Sequence, residues 1–158
     1  MIALTGHTGH VGKIIQRKYE VIGFSRSTGH DIRTDRNKIL ELCENANVFI
    51  NCAHGGPGFA QTNMFWDIFN LWKDQDKVII NIGTASADYS MWSTIRQQYS
   101  SEKAALIAAV EEAQNTEHKC KVSIINPYII TENVADDLLS AIDFCINSKS
   151  EIKSISLQ

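Results

Sequence analysis

Short apolar runs alternate with amphipathic stretches from one end of the chain to the other. Ile2 to Thr5 reads as a strand buried on both faces, followed by a glycine turn and a helix over Val11 to Tyr19. Tyr19 to Phe24 forms a second strand, closed by Ser25-Arg26-Ser27-Thr28-Gly29. His30-Asp31-Ile32 leaves room only for a stub of a third strand. Thr34 or Asp35 then caps a helix whose apolar contacts are Ile39, Leu42, Cys43 and Ala46. A fourth strand over residues 47–52 ends in His54-Gly55-Gly56-Pro57-Gly58, a loop rich in chain-turning residues. Thr62 to Lys73 is helical, with Met64, Phe65, Ile68, Phe69 and Trp72 as its apolar contacts. A fifth strand over 78–82, the longest helix over Ser100 to Ala113, and a sixth strand over 122–125 follow. A helix over 134–146 and a strand over 152–157 finish the chain. Near-continuous apolar strands between amphipathic helices predict a single α/β domain over residues 1–158, a doubly wound parallel sheet covered on both faces.

Composition narrows this picture. A chain of 158 residues suits one compact domain, and its 44% hydrophobic and 21% charged fractions are those of a globular protein. Fifteen basic against eighteen acidic residues give a net charge of -3, with no basic block to suit nucleic acid. Cys43, Cys52, Cys120 and Cys145 lie far apart, without C-x-x-C spacing, in or beside apolar segments. They read as buried thiols of a reducing compartment. The first residues resemble a strand, not a signal peptide, and no apolar run approaches membrane-spanning length. The expectation is a cytoplasmic protein with neither a nucleic-acid nor a membrane partner.

Two features carry candidate chemistry. Thr5-Gly6-His7-Thr8-Gly9-His10-Val11-Gly12 joins a strand to a helix, the setting in which backbone N–H groups and a helix N-terminus receive a pyrophosphate. Tyr99 and Lys103 stand four apart on a predicted helix and so share one face, continued inward by Leu106, Val110 and Ala113. An ammonium beside a phenol favours phenolate and lowers a pKa that starts near ~10. A dinucleotide site together with an activated tyrosine points to hydride transfer. His7, His10 and His54 could converge on a metal, but no acidic or cysteine ligand joins them at a familiar spacing and phosphates would compete for the space. No metal is expected; His54 reads as a polar neighbour of the cofactor, with a part in proton transfer open to it.

The order of motifs resembles the short-chain dehydrogenase/reductase family over nearly the whole chain. The motifs are Thr5-Gly6-x-x-Gly9-x-x-Gly12, Asn51-Cys52-Ala53-His54-Gly55 at a strand end, and Asn63 on a helix. Asn81-Ile82-Gly83-Thr84, Tyr99-x-x-x-Lys103 and Asn126-Pro127-Tyr128-Ile129-Ile130-Thr131 follow in sequence. The glycine spacing is closer to the family's extended or atypical members. The resemblance implies a Rossmann sheet of order 3-2-1-4-5-6-7 with the cofactor across its carboxyl ends. It places Gly6, Thr8, Gly9, His10, Val11 and Gly12 at the pyrophosphate, and Asp31 and Ile32 beside the adenine. Asn51, Cys52, Ala53 and His54 would line the strand end, and Pro127, Tyr128, Ile129 and Thr131 the nicotinamide. It makes Tyr99 the proton donor, Lys103 its activator and holder of the ribose hydroxyls, and Asn63 the support of the proton relay. The family's serine falls on Thr84 by strand register or on Ser86 by distance to Tyr99, with register favouring Thr84.

Arg26 bears on the cofactor. It stands just past the second strand, where folds preferring NAD place an acidic residue, and a guanidinium there suits a 2′-phosphate, with Ser25 and Ser27 as neutral donors. NADP is therefore expected over NAD.

The chain also departs from the family. No helix fits between the second strand and Asp31, Tyr128 replaces a common glycine, and few residues separate Thr131 from the last helix. The favoured function is NADPH-dependent reduction of a small-molecule carbonyl, or the reverse alcohol oxidation. The alternatives are a non-catalytic dinucleotide sensor and an epimerase or isomerase with bound cofactor. Helices 63–73 and 99–115 are expected to shield Phe and Trp side chains against a twin in a homodimer or homotetramer.

Overall fold

Among the described residues six short strands, centred on the apolar runs, stack side by side in one all-parallel sheet of order β2-β1-β3-β4-β5-β6. A computed structural model describes residues 1–85, 94–128 and 130–157. The elements in order are β1 (Ile2–Thr5), α1 (His10–Ile15), β2 (Val21–Phe24), α2 (Arg36–Leu42), β3 (Val48–Asn51) and α3 (Ala60–Trp72). They continue with β4 (Val78–Ile82), α4 (Thr94–Gln114), β5 (Lys121–Pro127), α5 (Glu132–Asn147) and β6 (Ser154–Leu157). Successive strand residues point to opposite faces, so Ala3, Phe49 and Ile79 enter one buried cluster with residues of α2, α3 and α4. Leu4, Ile50 and Ile80 enter the other, with Ile14 and Ile15 of α1 and Leu138 and Ile142 of α5. All four cysteines are free thiols, and only Cys52 is less than fully buried.

Several expectations need correction. The stub at 30–32 is not a strand. Asp31 donates its N–H to the Asp35 carboxylate at 2.7 Å and accepts the Asp35 N–H at 2.7 Å, so its polar groups are spent on a turn. Without that stub the observed order is the expected one. Leu42, expected to face the core, is exposed. Phe65, Phe69 and Trp72 are buried within their own chain. No helix among the described residues is long and apolar enough to cross a membrane.

Away from the sheet's carboxyl end, His118 joins α4 to the last strands. Its Nδ1 lies 2.8 Å from the Thr116 carbonyl and its Nε2 2.7 Å from Glu151 Oε2, which also accepts the Val122 N–H at 2.9 Å. Burial works against the charged ring, but the Glu151 hydrogen bond and the Thr116 carbonyl outweigh it, and the His118 pKa is raised. A folded value above the unfolded one contributes stability in full below the unfolded pKa and loses it as pH rises through the folded value. Wild type should therefore exceed His118→Gln in urea stability by about 0.5–1 kcal/mol at pH 5.5, with the gap closing by pH 8.5. A gap that is constant with pH would refute the pairing.

Candidate active site

The glycine turn is shaped by close packing. Gly6 sits at φ 74°, in the left-handed region, donates its N–H to Phe24 O at 2.7 Å and accepts the Gly9 N–H at 3.0 Å. A Cβ on Gly12 would stand 2.6 Å from His7 Cα and closer still to the Gly6 carbonyl, so only glycine lets α1 start against the turn. No side chain caps that helix start. Above it lies a groove of about 820 Å³ that brings together Gly6, Thr8, Gly9, His10, Val11, Gly12, Ser25, Arg26, Ser27, Asp31, Ile32, Cys52, Ala53 and His54, all residues expected beside the cofactor. His30, Gly55 and Gly56 also line it. The bare turn and uncapped N–H groups fit a pyrophosphate.

At the groove's far end the charges are already sorted. Asp31 is ion-paired with Arg33 at 2.6 Å, and that partner, followed by the charge of Arg26, holds its carboxyl below the usual range against the opposing effect of burial. Arg26 is exposed, and its guanidinium makes no hydrogen bond among the described residues. His7 leaves the groove for packing: its ring fills the space over Gly23, where a Cβ would come within 2.6 Å of it. His10 Nε2 reaches across to Ile130 O at 3.3 Å.

Under the groove the strand register builds a polar row. Thr5, Asn51 and Asn81 are aligned partners on β1, β3 and β4, and all three are fully buried. Asn51 Nδ2 donates to Asn81 Oδ1 at 3.0 Å and to Gln61 O at 2.9 Å. Gln61 Nε2 donates to Asn51 O at 2.7 Å and Ile82 O at 3.1 Å, while its Oε1 accepts from Lys103 Nζ at 2.8 Å. Lys103 donates also to Ile82 O at 2.9 Å; burial pushes its pKa down to about 8, against the raising influence of Cys52 and Glu102.

A smaller cavity of about 250 Å³ continues from the groove, sharing Val11, Cys52 and His54, and is lined by Thr84, Tyr99, Lys103, Pro127 and Tyr128. Burial raises the Tyr99 pKa, and a hydrogen bond with Thr84 works the other way. The expected lowering by Lys103 is not realised. The ammonium lies 5.6 Å from the Tyr99 ring centroid, but its hydrogen bonds go to Gln61 and Ile82 O. Tyr99 instead packs on His54, with ring centroids 4.9 Å apart. His54 Nε2 stands 2.7 Å from Glu102 Oε2, a close approach and not an aligned hydrogen bond. Glu102 is 5% exposed and takes the Gly58 N–H on Oε1 at 2.9 Å. Burial and the Lys103 charge lower the His54 pKa more than Glu102 raises it.

Three expected site residues lie elsewhere. Asn63 is exposed on α3, and Gln61, two residues earlier, is the amide that reaches Lys103. Asn51 is sealed beneath the groove and does not line it, and Thr131 is exposed at the start of α5. Ser86 and Ile129 lie outside the described residues. Sequence reasoning passed over Gln61 and Glu102; a glutamine in the first turn of an apolar helix and a glutamate beside Lys103 were the available signals. Among the described residues no group of three or more His, Cys, Asp or Glu could hold a metal ion.

No family model matches the chain. No curated protein matches it in sequence. Solved structures match it over nearly its whole length. A short-chain dehydrogenase/reductase from Vibrio parahaemolyticus is 13% identical with TM-score 0.73, over 99% of this chain and 98% of that one. A blue fluorescent protein from a metagenomic library, in complex with NADPH, is 13% identical with TM-score 0.70, over 99% and 96%. A 4-hydroxyisoleucine dehydrogenase complexed with NADH and succinate is 15% identical with TM-score 0.70, over 100% and 97%. The chain thus has the fold of the short-chain dehydrogenase/reductases, the family its motifs resemble.

Proposed function

We propose that this chain is a nicotinamide-dinucleotide-dependent oxidoreductase that interconverts a small carbonyl compound and its alcohol. The observation that carries this reading is the continuity of the two cavities. The glycine-lined groove leads through Cys52 and His54 directly to Tyr99, Thr84 and Lys103. Gly6, Gly9 and Gly12 would hold the pyrophosphate, and Arg26 with Ser25 and Ser27 a 2′-phosphate, which favours NADP. Bound there, the cofactor supplies or accepts the hydride. Tyr99 holds the proton that passes between its hydroxyl and the substrate oxygen. Its raised pKa keeps it a neutral donor at physiological pH. Thr84 holds that hydroxyl in place, and Ser86 is kept as the alternative hydroxyl at the substrate. Lys103 sets positive charge beneath the cavity.

Calorimetric titration with NADPH and NADH tests the cofactor. Arg26→Ala should weaken NADPH binding by about tenfold or more and leave NADH binding within about twofold. Equal losses for both nucleotides would remove the preference. The lysine tied to Gln61 and the short link of residues 128–131 between β5 and α5 favour a second reading, a dinucleotide-binding sensor. Nucleotide binding with no carbonyl turnover across a substrate panel would select it.

A further inference from the structure

Tyr99 must regain a proton after each reduction, and three exits from its hydroxyl can be compared. Lys103 lines the cavity but is only 4% exposed, and its ammonium is held by hydrogen bonds to Gln61 and Ile82 O. Tyr99 itself is 36% exposed, but a substrate carbonyl on its hydroxyl closes that approach during turnover. The third exit is His54. Its ring packs on the Tyr99 ring at 4.9 Å, its side chain is 31% exposed, and it lines both cavities. Nε2 is fully buried against Glu102, 2.7 Å from its Oε2.

We infer that His54, oriented by Glu102, relays protons between solvent and Tyr99. This rests on the oxidoreductase reading above. In reduction the neutral His54 imidazole takes a proton from solvent, and the imidazolium so formed gives one to the Tyr99 phenolate and returns to imidazole. No electrons move and no bond beyond O–H and N–H changes. Glu102 is the positioning residue: a buried carboxylate fixed by the Gly58 N–H, 2.7 Å from Nε2, offsets the positive charge that appears on the ring in transit. The groups facing His54 are Glu102, Lys103 and Tyr99 from α4 and Cys52 at the end of β3. Of these only Glu102 holds the ring towards its charged form, and Lys103 opposes it.

The test combines proton NMR of the full chain with turnover. The His54 imidazole titration should move to lower pH in Glu102→Gln. An unmoved titration would overturn the pairing. With 2,3-butanedione and NADPH or NADH as probe, His54→Ala should lower kcat about 10²-fold with KM little changed, and added imidazole should restore about tenfold. Glu102→Gln should shift the corresponding limb of the kcat–pH profile to lower pH. Wild-type turnover matched by His54→Ala would overturn the relay and leave the oxidoreductase reading standing. Loss without rescue by imidazole would make His54 a packing residue and overturn it equally. A wild type inactive towards 2,3-butanedione and a panel of small carbonyls would bring down the oxidoreductase reading, and the relay with it.

Discussion

Tyr99→Phe should lower carbonyl turnover by about 10²–10⁴-fold and leave nucleotide affinity within about twofold. The substitution removes one oxygen. The ring that packs on His54 at 4.9 Å and stands 5.6 Å from Lys103 Nζ remains, so the shape of the cavity is kept. What goes is the hydroxyl hydrogen-bonded with Thr84, the proton donor proposed for the smaller cavity. Because burial raises its pKa, the hydroxyl is protonated throughout the neutral range, which suits reduction. In the alcohol-to-carbonyl direction Tyr99 must first lose that proton, so oxidation should accelerate as pH climbs towards its raised pKa. A Phe variant as fast as wild type in stopped-flow would sink the proposed role of Tyr99.

Gln61→Leu should destabilise the fold by about 1–3 kcal/mol in urea unfolding, as expected for buried groups, one of them charged, that lose a hydrogen-bond partner. Gln61 bonds through both ends of its amide, donating to Asn51 O and Ile82 O and accepting from Lys103. Leucine is close in size but leaves the ammonium, among the described residues, with the Ile82 carbonyl alone. Gln61→Glu tests the same cluster in the other direction. A carboxylate keeps a partner for Lys103 and pulls its pKa back up from about 8, while the bonds to Asn51 O and Ile82 O are lost. Since the folded value lies below the unfolded 10.5, this lysine's burial cost is full below pH 8 and fades as pH rises between the two. A loss under about 1 kcal/mol for Gln61→Leu would show the cluster to be open to water.

The sheet was legible because its strands are near-continuous apolar runs, the pattern of a parallel sheet covered on both faces. The glycine turn was legible because Gly12 has no substitute at that packing distance. The stub at 30–32 misled because a short apolar residue between polar ones satisfies a strand pattern, while Asp35 four residues on captures the backbone instead. The choice of Asn63 over Gln61 came from a motif, not from the helix. On α3, position 61 faces inward with Met64, Phe65 and Ile68, and position 63 faces water. The Tyr99–Lys103 spacing correctly placed both on one face. It could not tell that the long lysine stem would run beneath the tyrosine to Gln61. The meeting of His54 with Glu102 joins positions far apart in the chain and leaves no local trace in sequence.

The division of the core between two sheet faces sets an order of events during synthesis. Leu4, Ile50 and Ile80 share their face with the brief α1, and their remaining cover comes from Leu138 and Ile142 of α5. Until α5 has been made that face has little cover beyond α1, so a product truncated ahead of residue 132 should aggregate, read as light scattering at micromolar concentration.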